Sequence, residues 1–336
     1  MKRAAALLGL LGALSAGCDT YYDPCFDVPS LVKDLRILAV RTDPPEVLYD
    51  PGTFASSPFI VRPLAVHSDS LYKPIEVLAR TCAPTTSQKC ADSVPFAGNA
   101  LAARDTDPEL ILTVSPEVLR ASLAADPLAG YGGLRVQLEI VARGPDGAVA
   151  RAAKTLVFSP DLPGTVPNHG LEIRGFTLFR GVKPQAVRPG FELDLDVAQS
   201  VTLRPLLAAG PGGERPDEDY DVVDLKGRRV RLRERISYTF FTTLHAQYGE
   251  LLKHNHGADV ADEPGPDQPQ PPQGLVRLSA TGEGPGRTWL VARDGRGAEA
   301  FSFLDFFMTD KRQCLNDLPN GTTVTSHCQQ LEQVCQ

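Results

Sequence analysis

Positive charge is scarce in this sequence. Lysine and arginine total 34 against 41 aspartates and glutamates, for a formal net charge of −7 and a pI near 5.4. A protein that grips nucleic acid presents a basic face to the phosphate backbone, so this balance argues against nucleic acid as a partner. It argues equally against a polybasic patch on a membrane surface. Beyond the N-terminal stretch, no apolar run approaches the ~18 residues of a membrane-crossing helix. There is no C-x-x-C pair, the usual frame of a structural zinc site. There is no G-x-S-x-G elbow and no Walker loop.

Turn formers are abundant instead. Glycine and proline number 29 each, which means many turns and few long helices. With 336 residues, 42% of them hydrophobic, the chain can build two ordinary domains with real cores.

The N-terminus carries an address. Met1-Lys2-Arg3 is a short positive start, and Ala4 to Ala13 is an apolar run broken only by glycine. Leu14-Ser15-Ala16-Gly17-Cys18 then brings small residues up to a cysteine. A charged start, a short apolar stretch and small residues at a cleavage point define a secretory signal. The run is too short for a mature spanning helix, which needs about 20 apolar residues. This segment resembles the lipobox of bacterial lipoproteins, departing from it at Ser15, where leucine is preferred; Leu14 stands one place early. The resemblance implies cleavage before Cys18, lipid on Cys18, and a protein held on a membrane of the cell envelope by its acyl chains. Residues 1–17 would be the signal and 18–33 the tether. Asp19 favours inner-membrane retention in enteric bacteria, but the rule does not hold in all bacteria, and the outer membrane is the favoured site here.

With Cys18 set aside, six cysteines remain: Cys25, Cys82, Cys90, Cys314, Cys328 and Cys335. An even number in an exported chain points to disulfides, but six cysteines allow 15 pairings, and the sequence does not choose among them. The short spacing makes Cys82–Cys90 a candidate clip across a hairpin or loop. The three C-terminal cysteines would then need Cys25, and one such bond would tie the tether to a disulfide-bonded tail at 309–336.

Between tether and tail the pattern is one of strands. Leu35–Arg41, Phe59–Val66, Ile75–Thr81 and Leu110–Val114 read as strands. Ser115-Pro116 then opens a short helix that runs to Asp126-Pro127. Leu134–Arg143 alternates Leu134, Val136, Leu138, Ile140 and Ala142 with Arg135, Gln137 and Glu139, so it should bury one face. Pro145-Asp146-Gly147 turns it into Val149–Phe158. Residues 161–170 read as a linker between a first domain, 34–160, and a second, 171–308. In the second, strands are expected at Ile173–Phe179, Phe191–Val197, Val201–Leu206, Val222–Leu225, Val230–Arg233, Ile236–Thr243, Leu275–Ala280, Trp289–Arg293 and Ala298–Phe307. A long polar loop, 245–273, is inserted among them.

A weak repeat links the halves. An apolar strand runs into Pro44-Pro45-Glu46-Val47 and Pro51-Gly52, and another into Pro184-Gln185-Ala186-Val187 and Pro189-Gly190. This opening resembles bacterial immunoglobulin-like domains. Trp289 to Gly297 resembles the closing hairpin of Ig-like and PKD-like modules, and Val136–Phe158 has the same layout. The resemblance implies a mainly β fold of two antiparallel Ig-like β-sandwich domains in tandem. It makes Trp289 a core residue and Asp294 a turn former.

Candidates for chemistry are few. S-x-x-K occurs at Ser30–Lys33 and Ser70–Lys73, but the S-D-N and K-T-G partners of penicillin-recognising enzymes are absent. His245, His254 and His256, with Asp259, Asp262 and Glu263 behind them, are a weak candidate metal set on a polar loop. Asp194 and Asp196 share a strand face, but calcium wants six to eight oxygens from several segments. Arg228, Arg229, Arg231, Arg233 and Arg235 form a basic stripe, suited to pairing with acids of the same domain, to guarding a strand edge, or to binding an anionic envelope polymer, the structural readings being favoured. The expectation is therefore a non-catalytic envelope lipoprotein without cofactor, acting as a structural and interaction module for an envelope protein or glycan partner. The alternative is a metal-dependent or hydrolytic enzyme acting on envelope polymer through 245–263.

Overall fold

The computed structural model describes residues 31–67, 74–102, 108–163, 165–180, 183–196, 200–209, 217–223, 226, 228–234, 236–243, 246–247, 275–280 and 284–309. The chain is mainly β and forms two sandwiches in tandem.

In the first unit, β1 (Arg36–Asp43), β3 (Phe59–Val66) and β6 (Leu110–Leu112) make one sheet, in the order β1-β3-β6. The other sheet contains β2 (Glu46–Tyr49), β4 (Ile75–Cys82), β5 (Gly98–Ala102), β7 (Leu134–Arg143) and β8 (Val149–Pro160), in the order β2-β8-β7-β4-β5. Period-2 alternation turns Val61, Val77, Leu138, Ile140 and Phe158 inward, and these side chains fill the space between the sheets. The helix α1 (Pro116–Ala125) closes one end. Ser115 caps it by accepting from the Val118 amide at 3.4 Å, Pro116 sits where no donor is needed, and Leu119 is its buried anchor.

The second unit repeats the plan. Here β9 (Ile173–Arg180), β10 (Lys183–Val187), β12 (Ser200–Leu207), β16 (Ala246–Gln247) and β17 (Val276–Ala280) form a sheet ordered β10-β9-β12-β17-β16. It faces β11 (Glu192–Asp196), β15 (Ser237–Thr242), β18 (Gly284–Arg293) and β19 (Glu299–Thr309), ordered β11-β19-β18-β15. Leu178, Leu203, Leu278, Leu290 and Phe306 are among the side chains between them. A separate hairpin, β13 (Asp219–Val223) with β14 (Arg229–Arg233), forms its own two-stranded sheet.

The proline-marked repeat has a structural cause. In each unit the opening chain pairs in one sheet and then crosses to the other. β1 pairs antiparallel with β3, and after Pro44-Pro45 the chain re-enters as β2, parallel to β8. β9 and β10 belong to one sheet, and after Pro189-Gly190 the chain becomes β11, parallel to β19. Pro44-Pro45 and Pro189 fall where the ladder stops, whereas Pro184 lies within the edge strand β10 opposite Phe179; Gly190 has the positive φ (72°) that the second turn requires. The sandwiches are otherwise antiparallel.

β5, β16 and the first half of β18 escape the sequence pattern. β5 reads Gly-Asn-Ala-Leu-Ala, with no β-branched residue to announce a strand. β16 is only two residues long. β18 begins at Gly284 rather than Trp289; a methyl group at Gly286 would overlap the Phe306 ring on the neighbouring strand, so glycine leaves the space that ring occupies. Among the described residues, no helix is long and apolar enough to cross a membrane.

Candidate functional site

The outer faces of the two sandwiches are not simply solvated. On β18, Leu290 and Ala292 point into the second sandwich, so Trp289 and Val291 must point out of it. There they meet Val32, Leu38, Ala39, Leu64 and Val66 from the N-terminal half, with Phe241, Phe301 and Phe303 packed around them. Trp289 is thus a core residue, as the resemblance implied, but of a third core between the units. It is 3% exposed, and Val32 is fully buried.

The chain enters this junction before it enters the first sandwich. Leu31 forms a parallel bridge with Thr242 of β15, and the Val32 amide donates to the Thr242 carbonyl at 2.8 Å. Residues 31 and 32 therefore attach to the second unit, although the next strand, β1, belongs to the first.

Polar contacts also tie the two units together. The backbone of β1 is held by side chains from both units. The Val40 amide donates to Glu299 Oε2 (2.7 Å), the Leu38 carbonyl accepts from Arg293 Nη2 (3.0 Å), and the Val40 carbonyl accepts from Lys154 Nζ (2.7 Å). Burial pushes the Lys154 ammonium below its ordinary pKa, and the charges of Glu299 and Asp294 oppose that shift. The linker is pinned as well. The Asn168 amide donates to Glu46 Oε2 (2.7 Å), and the Asn168 side chain donates to Asp294 Oδ2 (2.7 Å). The Ser159 hydroxyl also donates to Glu46. Asp294 is the turn former expected: its Oδ1 accepts from the amides of Arg296 (2.7 Å), Gly297 (3.0 Å) and Ala298 (3.0 Å). Arg296 reaches Glu234 at 3.0 Å and lies over the Tyr220 ring at 4.2 Å. Burial raises the pKa of Glu234, and the Glu218 amide and Arg296 oppose that rise without cancelling it.

A second built feature lies on the first unit. Cys82 and Cys90 form a disulfide with Cα atoms 5.8 Å apart, closing a loop at the end of β4. Under that loop, Arg80 and Glu139 form an ion pair whose side chains are 4% and 3% exposed. Arg80 donates to Glu139 at 2.9 Å and to the carbonyls of Ala91 (3.0 Å), Val94 (3.0 Å) and Cys90 (3.2 Å). Glu139 accepts from the Cys90 amide (3.0 Å) and from Arg151 (2.8 Å). Burial works against the Glu139 charge, but these donors outweigh it and hold the carboxyl below its usual range. Gln137 accepts from Thr85 of the same loop at 3.3 Å. So the second face of β7, which alternation assigned to solvent, is buried at Gln137, Glu139 and Val141. The loop itself stays exposed from Pro84 to Lys89, and Phe96 is 38% exposed with the Arg80 guanidinium 5.0 Å from its ring centre. Disulfide, ion pair and three captured carbonyls immobilise this loop before any partner meets it.

The sequence candidates distribute unevenly. His245, His254 and His256 lie outside the described residues, as do Cys18, Cys25, Cys314, Cys328, Cys335 and Arg235. Asp194 and Asp196 sit at alternate positions of β11. Among the described residues, no group of three or more His, Cys, Asp or Glu side chains could hold a metal ion. The arginine stripe pairs with acids of its own hairpin: Arg229 with Asp221 (2.6 Å), Arg231 with Asp219 (3.4 Å) and Arg233 with Asp217 (2.6 Å). The junction and the clipped loop were not foreseen as sites. Their one signal in the sequence is the short Cys82–Cys90 spacing.

No family model matches the sequence, and no curated protein matches it. Among solved structures, the N-terminal Ig1-2 module of the Drosophila receptor protein tyrosine phosphatase DLAR aligns over 82% of this chain and 99% of its own. Its identity is 12% and its TM-score 0.23. The tandem V-type regions of the chitin-binding protein VCBP3 cover 81% of this chain and 99% of their own, at 12% identity and TM-score 0.27. The periplasmic chaperone SfaE covers 81% and 100%, at 11% identity and TM-score 0.26.

Proposed function

We propose that the protein is a membrane-anchored, non-catalytic lipoprotein of the bacterial cell envelope. In this reading its two joined sandwiches hold an interaction surface clear of the lipid for an envelope protein or glycan. One observation carries the non-catalytic reading. The buried charged side chains of the described residues are Arg80, Glu139, Glu234, Arg287 and Asp294, and each ends on a structural partner. Arg80 and Glu139 hold the clipped loop, and Asp294 holds a turn. Glu234 accepts from the Glu218 amide at 3.0 Å. Arg287 makes a two-armed pair with Asp305 (2.6 and 3.0 Å) and lies 3.9 Å over the Phe303 ring. A general acid or base must reach a substrate atom; these groups reach backbone amides and each other.

The lipid anchor rests on the signal that ends at Cys18. From Cys18 to Leu31 an extended chain spans at most about 45 Å, so the junction could stand a domain's width from the bilayer. The clipped loop, exposed and pre-ordered, is the candidate contact surface.

Intact-mass analysis of the detergent-extracted protein tests the anchor. Cleavage before Cys18 with an acylated N-terminus is expected, and Cys18→Ala should leave the membrane fraction. A soluble, unmodified wild-type chain would sink the anchored reading. Crosslinking and pull-down from solubilised membranes, with Cys18→Ala as control, tests the partner. A specific envelope partner lost with the anchor is expected. Recovery of the protein alone from both forms would count against an interaction role.

A further inference from the structure

The strands of the hairpin β13–β14 give no side chain to any of the three cores. The contacts that tie it to the rest of the molecule lie at its base, and most are charged. There the Glu234 amide donates to the Glu218 carbonyl (2.9 Å), and the Glu218 amide donates to Glu234 Oε2 (3.0 Å). Arg296 reaches this base from the turn between β18 and β19. Its Nη1 lies 3.0 Å from Glu234 Oε1 and 3.8 Å from Glu218 Oε2, and its guanidinium covers the Tyr220 ring. Its Nη2 lies 3.7 Å from Glu46 Oε2 of the first unit. From the linker, His169 Nδ1 stands 3.1 Å from Glu218 Oε1.

One guanidinium thus serves Glu46, Glu218 and Glu234, and Asp294 adds a further negative charge that acts on Glu234. The Glu234 side chain is 2% exposed, so these charges are weakly screened. The other charges nearby are engaged elsewhere. Arg233 pairs with Asp217 at 2.6 Å, and Lys154 faces Glu299 as well as Asp294. On β15, burial pushes the Tyr238 hydroxyl up to about 12, so it stays neutral. Arg235, next in sequence to Glu234, lies outside the described residues.

We propose that the β13–β14 hairpin is a proton-controlled arm, clasped to the linker and the first unit in acid and loosened as pH rises past neutrality. Carboxylate charge in excess of Arg296 is what loosens it. A proton taken from water onto the Glu234 carboxyl removes the charge that repels Glu218 and Asp294. A proton on His169 sets a cation against Glu218. Both events favour the clasped arm. Burial raises the Glu234 pKa above its ordinary value, so its contribution is complete below about pH 4.5 and is lost as pH rises through the clasped value. With no core residue to hold the hairpin strands, this charge balance decides where the arm sits.

Amide hydrogen exchange of the full chain in detergent tests this, at about pH 5 and about pH 8 with intrinsic rates corrected. Protection of β13 and β14 should be at least about threefold higher at the lower pH, while β7 and β18 keep theirs. Glu234→Gln has the shape and neutrality of the protonated carboxyl. It should raise protection at the higher pH and remove most of the difference. His169→Gln should remove a smaller part. Equal protection of the hairpin at the two pH values, or lower protection in acid, overturns the proposal. So does a Glu234→Gln variant that keeps the full difference, or a His169→Gln variant that alone abolishes it. Should Glu234→Gln fail to fold, Glu218→Gln, which also takes one charge from around Arg296, decides by the same comparison.

Discussion

Replacing Glu139 by alanine should destabilise the protein far more than a charge on an ordinary strand face would. Glu139 and Arg80 have 3% and 4% of their side-chain surface exposed, so neither charge has water to fall back on. Removing the carboxylate takes the buried counter-charge from Arg80, which keeps only backbone carbonyls and the exposed Asp92 at 3.7 Å, and leaves the Cys90 amide without its acceptor. Breaking a buried pair in this way costs about 3–5 kcal/mol, a large part of a domain's total stability of about 5–15 kcal/mol. Replacing both partners by apolar residues, as Arg80→Met with Glu139→Leu, should cost less than Glu139→Ala, because the desolvation cost of the pair is removed with it and what remains is mainly the buried Cys90 amide without its acceptor. The double variant should nevertheless lose the loop: three carbonyls held by Arg80 are released, and amide exchange across 83–97 should rise while the sheet stays protected. Urea unfolding and hydrogen exchange of the wild type, both single variants and the double variant measure all of this. If Glu139→Ala lies within about 1 kcal/mol of wild type, the value of an exposed surface pair, the pair is not buried as described and the reasoning fails.

Further outcomes follow from the same contacts. The Glu139 carboxyl is held below its ordinary pKa in the folded state, so its contribution is complete above about pH 4.5 and is lost as pH falls through the folded value. Glu139→Gln should therefore flatten the acid limb of a stability–pH profile and leave the slope near neutrality unchanged. Cys82→Ala with Cys90→Ala should cost about 2.5 kcal/mol in urea unfolding, the loop-closure term for a separation of 8 residues; no loss of stability would mean the loop is held by Arg80 alone. Gly286→Ala should cost about 1–3 kcal/mol, since the new methyl group must displace the Phe306 ring, whereas Gly132→Ala, with open space around it, should show only the backbone strain of its positive φ.

Much of the architecture was legible because a half-buried strand writes itself as period-2 alternation. Leu134–Arg143 and its returning hairpin, the Ser115-Pro116 helix start and the Asp294 turn all carry their chemistry locally. The arginine stripe was legible for the same reason, because its acids lie in the partner strand of one hairpin. What stayed hidden are contacts that depend on a second layer. Glu139 and Gln137 alternate like solvent-facing residues, and nothing nearby in sequence says that a loop returns over them. Trp289 and Val291 point away from their own sandwich, and their neighbours are up to about 250 residues distant in the chain, as Arg293 and Leu38 are. Val32 sits in a stretch without periodicity, so it reads as tether, although its amide bond to Thr242 and its side chain, beside the Leu31–Thr242 bridge, fix it to the second unit. β5 was missed because alanine and glycine have weak strand preference; it is held by pairing with β4.

Residues 31 and 32 enter a core that joins the two sandwiches. Trp289, the one tryptophan of the chain, lies in that core and reports on it directly. The decisive measurement is acrylamide quenching and emission of Trp289 in the wild type and in Val32→Asp, with far-UV circular dichroism to verify that the sandwiches persist. The account predicts blue-shifted, shielded emission in the wild type and red-shifted, readily quenched emission in Val32→Asp at unchanged β content. Equal quenching of the two proteins, or a wild-type tryptophan already open to water, would contradict it.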